Sequence, residues 1–524
     1  MTSIRWKSQD LKRMKTLGIE PSEANRQLEL FKNPPPFASL DRPALTGDGI
    51  IRLNSSQEKS ALRKFETARR KGRFIKFVPA SGAASRMFHL LMKFLQRKPF
   101  SPEDLKREII NGEKDSRQFL EFMESISKFA FFDELGKVMA QRGLDLETLR
   151  REGRFGEILE ALLLPNGLNY SQKPKGLIRF HTYSGGARTP LEEHLVEAVE
   201  TVRDGGARCR IHFTVSEEHQ KQCRGHFLEV REKHQKKFGV RFNARFSIQR
   251  SSTNTLAVDG DNRPFRDREG RLVFRPSGHG SLLENLNDLK GDLVFIKNID
   301  NVTMEHSADS IVNWKKILGG YLVTLQEETF KFLRLLSIKK IKPGDLLKIT
   351  TFTRKNLMID LGDDFSSLSP AQKGRRLKEA LDRPIRVCGV VVNTGEPGGG
   401  PFWVRGLDGR NTLQIVESAQ IDLKQKKQKK IFEKSTHFNP VDLVCGVRHW
   451  NGKPFDLNRF RDSRAVFISR KSMEGKELKA LELPGLWNGA MADWITLFVE
   501  VPLDTFNPVK TFFDLLKPAH QVKV

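Results

Sequence analysis

Cysteine is scarce in this chain, and its four copies (Cys209, Cys223, Cys388, Cys445) are spread widely with no C-x-x-C pair. That pattern fits neither a disulfide framework nor a zinc knuckle, and it points to free thiols in a reducing compartment. No apolar run reaches the ~18 residues that a membrane-spanning helix needs. The opening MTSIRWKSQDLKRMK lacks the apolar core of a secretory signal, so a cytoplasmic location and no membrane partner are expected. Tyrosine occurs only three times and no glycine-aromatic repeat is present, so an RNA-recognition surface is not signalled. Neither a G-x-x-x-x-G-K-[ST] loop nor a G-x-G-x-x-G fingerprint appears.

Basic charge is abundant. The net charge is +26 over 524 residues, of which 38% are hydrophobic. The length asks for two or three domains. Such a charge attracts anions, whether nucleic acid, acidic lipid or phosphorylated metabolites. The positive residues are scattered, however, and the one dense run is KQKKQKK at 424–430, which reads as a solvated face or a mobile loop.

Residues 1–71 read as a helical segment, with helices over 8–17, 22–31 and 57–70. The Gly47-Asp48-Gly49 turn between them reads as an ordinary turn. Residues 74–78 have the length and composition of a buried strand, followed by a small-residue loop and an apolar helix over 87–95. Residues 101–156 read as helical, an insertion that reaches about 100–165. A strand is expected over 177–181, and Thr189-Pro190 opens an amphipathic helix over 191–202. Strands over 209–215 and 242–249 flank a helix over 216–237. Strand signals at 255–259 and 272–275, a helix over 281–289 and a strand over 293–296 follow, then a long helix over 311–336. The C-terminal part, 336–524, carries strands around 384–392 and 402–404. Strands alternating with helices predict an α/β architecture with a mostly parallel sheet.

The stretch FIKFVPASGAASRM is the chemical focus. A strand that feeds a small-residue turn and then a helix arranges backbone N–H groups around a concavity suited to phosphate, and Arg86 adds charge-assisted bonds. The alternative is a tight βα turn with no ligand. In open parallel sheets, ligands bind beyond the carboxyl ends of strands. Four groups are expected there: the loop 81–86, Lys175, the Gly278-His279-Gly280 turn, and Asp300. An Asp ending an apolar strand suits Mg²⁺, which takes one or two carboxylates together with phosphate oxygens.

The succession VPASGAASRM, KPKGLI…RTPLEEHL and RPSGHGSLLENL…IKNIDN resembles the GT-A-like nucleotidyltransferases, most nearly the UDP-sugar pyrophosphorylases (sugar-1-phosphate uridylyltransferases). The resemblance implies a GT-A/Rossmann-like core over 72–335, a C-terminal α/β domain over 336–524, and a Mg²⁺-dependent reaction of a nucleoside triphosphate, UTP favoured, with a sugar 1-phosphate. It implies that Ala80, Ser81, Gly82, Ala83, Ala84 and Ser85 cradle the nucleotide, with Arg86 and Lys175 as the catalytic cations. It further places Gln249, Gly278, His279, Gly280 and Asn301 against nucleotide or substrate and Asp300 on the metal. The loop departs from the usual Gly-Gly-x-Gly-Thr-Arg form, and Lys175 lies far along the chain from Arg86, so the helical stretch 101–156 must loop out. The whole chain, including STHFNPVDLVCG and LKALELPGLWNGAMADW, also resembles a bacterial domain-of-unknown-function family common in Bacteroidetes-type bacteria.

The expected activity is therefore sugar-nucleotide synthesis with release of pyrophosphate. Two rivals from other classes are a non-catalytic nucleotide or sugar-nucleotide binding protein of the same fold and a basic nucleic-acid-associated protein. The scattered charge counts against the last.

Overall fold

The computed structural model describes residues 5–82, 84–97, 100–338, 341–395, 398–473 and 475–522. Its chain forms two compact units. Unit 1 takes in the chain up to Phe77, then Ile248–Ile296 and Trp314–Leu503; unit 2 takes in Val78–Ser247, Lys297–Asn313 and the chain from Asp504. The strands that matter for the site are, in chain order, β1 (Leu45–Thr46), β2 (Gly49–Ile51), β3 (Phe74–Pro79), β4 (Arg208–Val215), β5 (Arg241–Ile248), β6 (Leu293–Lys297), β7 (Ile385–Val392), β8 (Asp442–Gly446) and β9 (Ile495–Glu500).

In unit 1 the sheet order is β1-β2-β9-β7-β8-β6-β3. β2, β9 and β7 run parallel, as do β6 and β3, whereas β8 runs antiparallel to β7. Leu293 to Ile296 pair in register with Phe74 to Phe77, and Ile385 pairs with Ile495. Every residue of β6 and all but the last of β7 are buried, which is why these strands read as unbroken apolar runs rather than alternating ones. The expected α/β architecture with a mostly parallel sheet is thus the one that forms. The N-terminal helices form as Ser8–Leu17, Pro21–Lys32 and Ser55–Arg70. Asn54 caps the last of them and Gln57 completes a reciprocal capping box.

Unit 2 has its own apolar centre. Helices Pro102–Ile110, Lys114–Ser125, Phe132–Ala140, Leu146–Glu152 and Phe155–Leu163 occupy the stretch expected to be a helical insertion. Their apolar faces meet in a cluster rich in phenylalanine, where the rings of Phe94 and Phe119 stack at 4.2 Å. Burying each such side chain contributes about 1.5–3 kcal/mol, so the insertion can hold itself together while the chain on either side of it returns to one place. Val302, Val509, Phe512 and Leu515 belong to the same cluster, so the last residues of the chain are packed into unit 2.

Two local expectations are corrected. Residues 177–181 do not form one strand: Pro174 leads into a 3-10 turn, Lys175–Leu177, closed by Leu177 N–H to the Pro174 carbonyl at 3.0 Å, and pairing as a strand begins at His181. The fixed φ of proline and the small Gly176 favour the turn over a longer extended run. The helix expected from 216 begins as a 3-10 turn at Glu217–His219 and becomes α-helical over Gln220–Phe238. Most of the lysine run at 424–430 lies on a helix, Lys426–Glu433, whose lysines are solvated and whose Ile431 and Phe432 pack against the cluster that contains Leu40 and Phe402. Among the described residues no helix is long and apolar enough to cross a membrane.

Candidate functional site

At the end of β3 the chain passes through Ala80, whose N–H donates to the Thr214 carbonyl of β4 at 2.8 Å. The loop beyond it is tied to a segment distant in sequence. Ala84 N–H donates to the Lys173 carbonyl and Lys175 N–H donates to the Gly82 carbonyl, both at 3.1 Å. These two bonds bring KPKG against the small-residue loop despite the intervening helices. Ser81, Gly82, Ser85 and Arg86 are exposed, Ala84 is buried at the start of a 3-10 turn, and Ala83 lies outside the described residues.

The Lys175 ammonium donates to Asp300 Oδ2 at 2.9 Å and to the Val509 carbonyl at 2.8 Å. Asp300 follows the end of β6, where Ile299 N–H donates to the Pro79 carbonyl at 3.0 Å. The loop, the lysine and the aspartate therefore meet at the carboxyl ends of neighbouring strand segments, where an open α/β sheet offers a ligand crevice. Asp300 Oδ1 carries no hydrogen bond among the described residues, and the side chain is 22% accessible. Asn301 plays a different part. It is buried, and its Oδ1 accepts the Asn507 N–H at 3.0 Å, which fastens the C-terminal segment beside Asp300.

Behind this turn lies the helix Pro190–Thr201, started by Thr189 in a capping box with Glu192. His194, fully buried, donates its Nε2 proton to the carbonyls of Asn298 and Ile299, both at 3.2 Å, and so holds the peptide that presents Asp300. Glu192 is desolvated, yet bonds from His226 and His234 and from the Thr189 N–H hold its carboxyl well below the usual range. Glu193 bonds His181 Nδ1 and the Tyr183 hydroxyl, each at 2.9 Å, and His181 Nε2 bonds His520 Nδ1 at 2.8 Å. Burial, and then the neighbouring His181, push His520 down to about 3.

Arg86 points elsewhere within unit 2. It lines an open groove of about 660 Å³ with His89, Lys93, Thr511, Phe513 and Lys517.

The glycine-histidine segment belongs to unit 1 and is built by packing. Gly278 has φ +76°, and a Cβ there would lie 2.6 Å from Glu482 Oε2; a Cβ on Gly280 would lie 2.3 Å from the Pro484 carbonyl oxygen. Glycine is required at both positions so that the turn can seat on the Pro484-Gly485-Leu486-Trp487 segment. His279 stacks on Trp487 with ring centroids 4.1 Å apart, and its Nδ1 accepts the Leu486 N–H at 3.0 Å. Desolvation pushes the ring down to about 4, although 32% of the side chain stays accessible. At neutral pH the proton is therefore on Nε2, 3.9 Å from Glu417 Oε1 and too far for a direct hydrogen bond. Burial raises the Glu417 carboxyl. Gln249, just past β5, is half-buried and its Nε2 has no acceptor among the described residues.

Sequence reasoning missed the C-terminal segment, which supplies the Val509 carbonyl to Lys175, and it missed His194 and Glu417. The buried acid-acid-histidine run Glu192-Glu193-His194 at a helix start was the available signal, because three polar residues in the first turns of a core helix need partners.

No curated protein matches this chain. Among solved structures, uridine diphosphate N-acetylglucosamine pyrophosphorylase from Trypanosoma brucei, in complex with an inhibitor, is 13% identical with a TM-score of 0.48, over 97% of this chain and 78% of that one. UDP-glucose pyrophosphorylase from Leishmania major, in complex with UDP-glucose, is 12% identical with a TM-score of 0.42, over 97% and 77%. UDP-glucose phosphorylase from Trypanosoma brucei is 13% identical with a TM-score of 0.42, again over 97% and 77%. The family model described as Domain of unknown function (DUF4301) matches residues 7–521, and the chain belongs to that family.

Proposed function

We propose that this chain is a nucleotidyltransferase that joins a nucleoside triphosphate, UTP favoured, to a sugar 1-phosphate and releases pyrophosphate. The observation that carries the reading is the Lys175–Asp300 pair beside the small-residue loop at the strand ends. A cation, a carboxylate and a run of exposed backbone at one crevice are what phosphoryl-type transfer uses, since its catalysis is largely positioning and charge stabilisation.

In the proposed reaction an oxygen of the sugar 1-phosphate attacks the α-phosphorus of the triphosphate. The new P–O bond forms as the bond to the β-phosphate bridging oxygen breaks, and pyrophosphate leaves with that electron pair. The loop N–H groups would bind phosphate oxygens and Lys175 would neutralise charge that grows on the α-phosphate, whereas Arg86, which lines a separate groove, is given no step. Asp300 would hold Mg²⁺. Its Oδ1 fits that role, and among the described residues no group of three or more metal-ligating side chains exists, so the remaining ligands would be phosphate oxygens and water. When bound, the ion supplies charge neutralisation at the reacting phosphates.

The test is pyrophosphate release with Mg²⁺ across the four nucleoside triphosphates and a panel of sugar 1-phosphates. Release is expected only with both substrates and is expected to vanish in Asp300→Asn. Nucleotide-dependent stabilisation without release from any pair would instead make this a binding protein. If neither signal appears, or if Arg86→Ala, Lys175→Ala and Asp300→Asn all bind nucleotide as the wild type does, the reading fails.

A further inference from the structure

The densest run of charge in the chain belongs to unit 1 and takes no part in the reaction proposed above. Residues 424–434 hold six lysines and one acidic residue, Glu433. All six lysines are exposed. Among the described residues their one ion pair joins Lys429 to Glu433 at 3.8 Å, with both side chains 59% accessible. A pair so solvated contributes little, and the other five ammonium groups face no carboxylate at that range.

Helix formation does not favour this arrangement. Lys426 and Lys430 are like charges one turn apart, as are Lys430 and Lys434, and such pairs repel. Lys426 and Lys427 stand at the positive end of the helix macrodipole, in a first turn that has no acid. Gln425 precedes that turn without a side-chain cap bond. The helix is held instead by its inward face. Gln428 accepts the Leu40 N–H through Oε1 at 2.8 Å and donates through Nε2 to the Leu40 carbonyl at 3.0 Å. The Phe432 ring stacks on Phe402 with centroids 5.9 Å apart. Like charges kept together on a pinned helix form a basic surface already organised for a partner of many negative charges.

The side chains on that surface select the partner. A protein interface needs apolar or aromatic anchors and is depleted in lysine. A bilayer takes up apolar side chains, but Ile431 and Phe432 are turned inward. Leu423, 38% accessible, is the one large apolar side chain exposed in 420–434. A nucleic-acid duplex asks for neither, because its phosphates bind cations through charge and the release of counterions. Lysine is a point charge without a planar fork, which suits phosphate contacts that read no base edges.

We propose that the lysine face of helix Lys426–Glu433 binds the phosphate backbone of double-stranded nucleic acid without sequence preference. The lysine ammonium groups donate to phosphate oxygens, and the helix stays on its Leu40 and Phe402 seat. The inference does not depend on the reaction proposed above.

Fluorescence anisotropy of the full chain with short labelled DNA duplexes tests it. Two duplexes of unrelated sequence should bind within about twofold of each other. The variant Lys426→Gln, Lys427→Gln, Lys429→Gln, Lys430→Gln removes four phosphate contacts. Its plot of log affinity against log salt should be shallower by about 3.6, and its affinity at about 0.1 M salt should fall at least tenfold. Lys12→Gln, Lys59→Gln, Lys221→Gln, Lys236→Gln removes the same charge from scattered exposed sites and should leave the slope unchanged. Because the lysines repel one another, their removal should not lower the urea midpoint. The proposal is overturned if the helix variant keeps the wild-type slope or loses stability. It is also overturned if the scattered variant flattens the slope equally, or if phosphatidylserine vesicles displace the duplex at equal charge.

Discussion

The two clusters named from sequence are held by different forces. Around Lys175 and Asp300, in unit 2, directional polar bonds join four stretches of chain, and the loop itself stays exposed. Around His279, in unit 1, the backbone of one turn is pressed against another at distances only glycine allows. The first arrangement leaves charge and space for a ligand. The second leaves almost none at the glycines and offers a single fixed donor, His279 Nε2–H. The contrast predicts that damage at the unit 1 glycines appears as instability, whereas damage at the exposed loop of unit 2 appears as lost binding.

Gly280→Ala should show the largest effect. Its Cβ would lie 2.3 Å from the Pro484 oxygen and 2.9 Å from the Leu483 oxygen, both backbone atoms. The turn must shift, and a loss of about 3 kcal/mol is expected in urea unfolding. A midpoint within error of the wild type would remove packing as the reason for glycine here.

Lys175→Met comes next. It keeps most of the side-chain volume but strands Asp300 and the Val509 carbonyl, and bonds to charged groups are worth about 1.5–3 kcal/mol each at most. A loss of about 2 kcal/mol is expected, together with faster proteolysis in the segment after Asp504. Unchanged protection of that segment would show that Lys175 does not fasten it.

The pH dependence separates the units further. His520 is 2% exposed, faces His181, Asp514 and Lys517, and is lowered from the ordinary 6.5 to about 3. Between those values the folded chain binds fewer protons than the unfolded chain, so stability is complete above the ordinary value and is lost as pH falls toward 3. The loss should reach about 2 kcal/mol by pH 5. Urea midpoints at pH 7 and pH 5 measure it, and His520→Gln should flatten the slope. His279 is lowered by desolvation alone and is partly accessible, so its variant should change the slope less.

How much of this was legible in the sequence follows the same division. Strands such as Leu293–Lys297 and Ile385–Val392 could be read because burial on both faces writes itself as a continuous apolar run. The glycines at 278 and 280 could be noticed, but not their neighbour, because the Pro484 turn lies far along the chain. The meeting of Lys175 with the loop at Gly82 was expected from the placement of ligand groups at strand ends and from the family resemblance, and not from any local pattern, since it depends on five helices closing on their own phenylalanine core. The 3-10 turn at Lys175–Leu177 was misread as strand because Leu177 and Ile178 look apolar and extended, whereas Pro174 had already set the turn. Residues 507–509 reach Lys175 and Asn301 through backbone atoms, and backbone contacts leave no residue signature.

The smallest expected stability change is also the most decisive. Among the described residues a Cβ added to Gly82 would meet nothing within 4 Å, and its φ is not in the left-handed region, so nothing described there requires glycine. Gly82→Leu should therefore alter the unfolding midpoint by no more than about 0.5 kcal/mol. If the exposed loop receives phosphates, however, the leucine occupies the space they need, and nucleotide-dependent thermal stabilisation should disappear. A variant that is as stable as the wild type and binds no nucleotide would place the ligand over this loop. A variant that binds normally would reduce residues 80–86 to a tight turn between strand and helix, and the Lys175–Asp300 pair would then be a structural bond like the one between Lys297 and Glu197, which meets at 2.8 Å with both partners nearly buried.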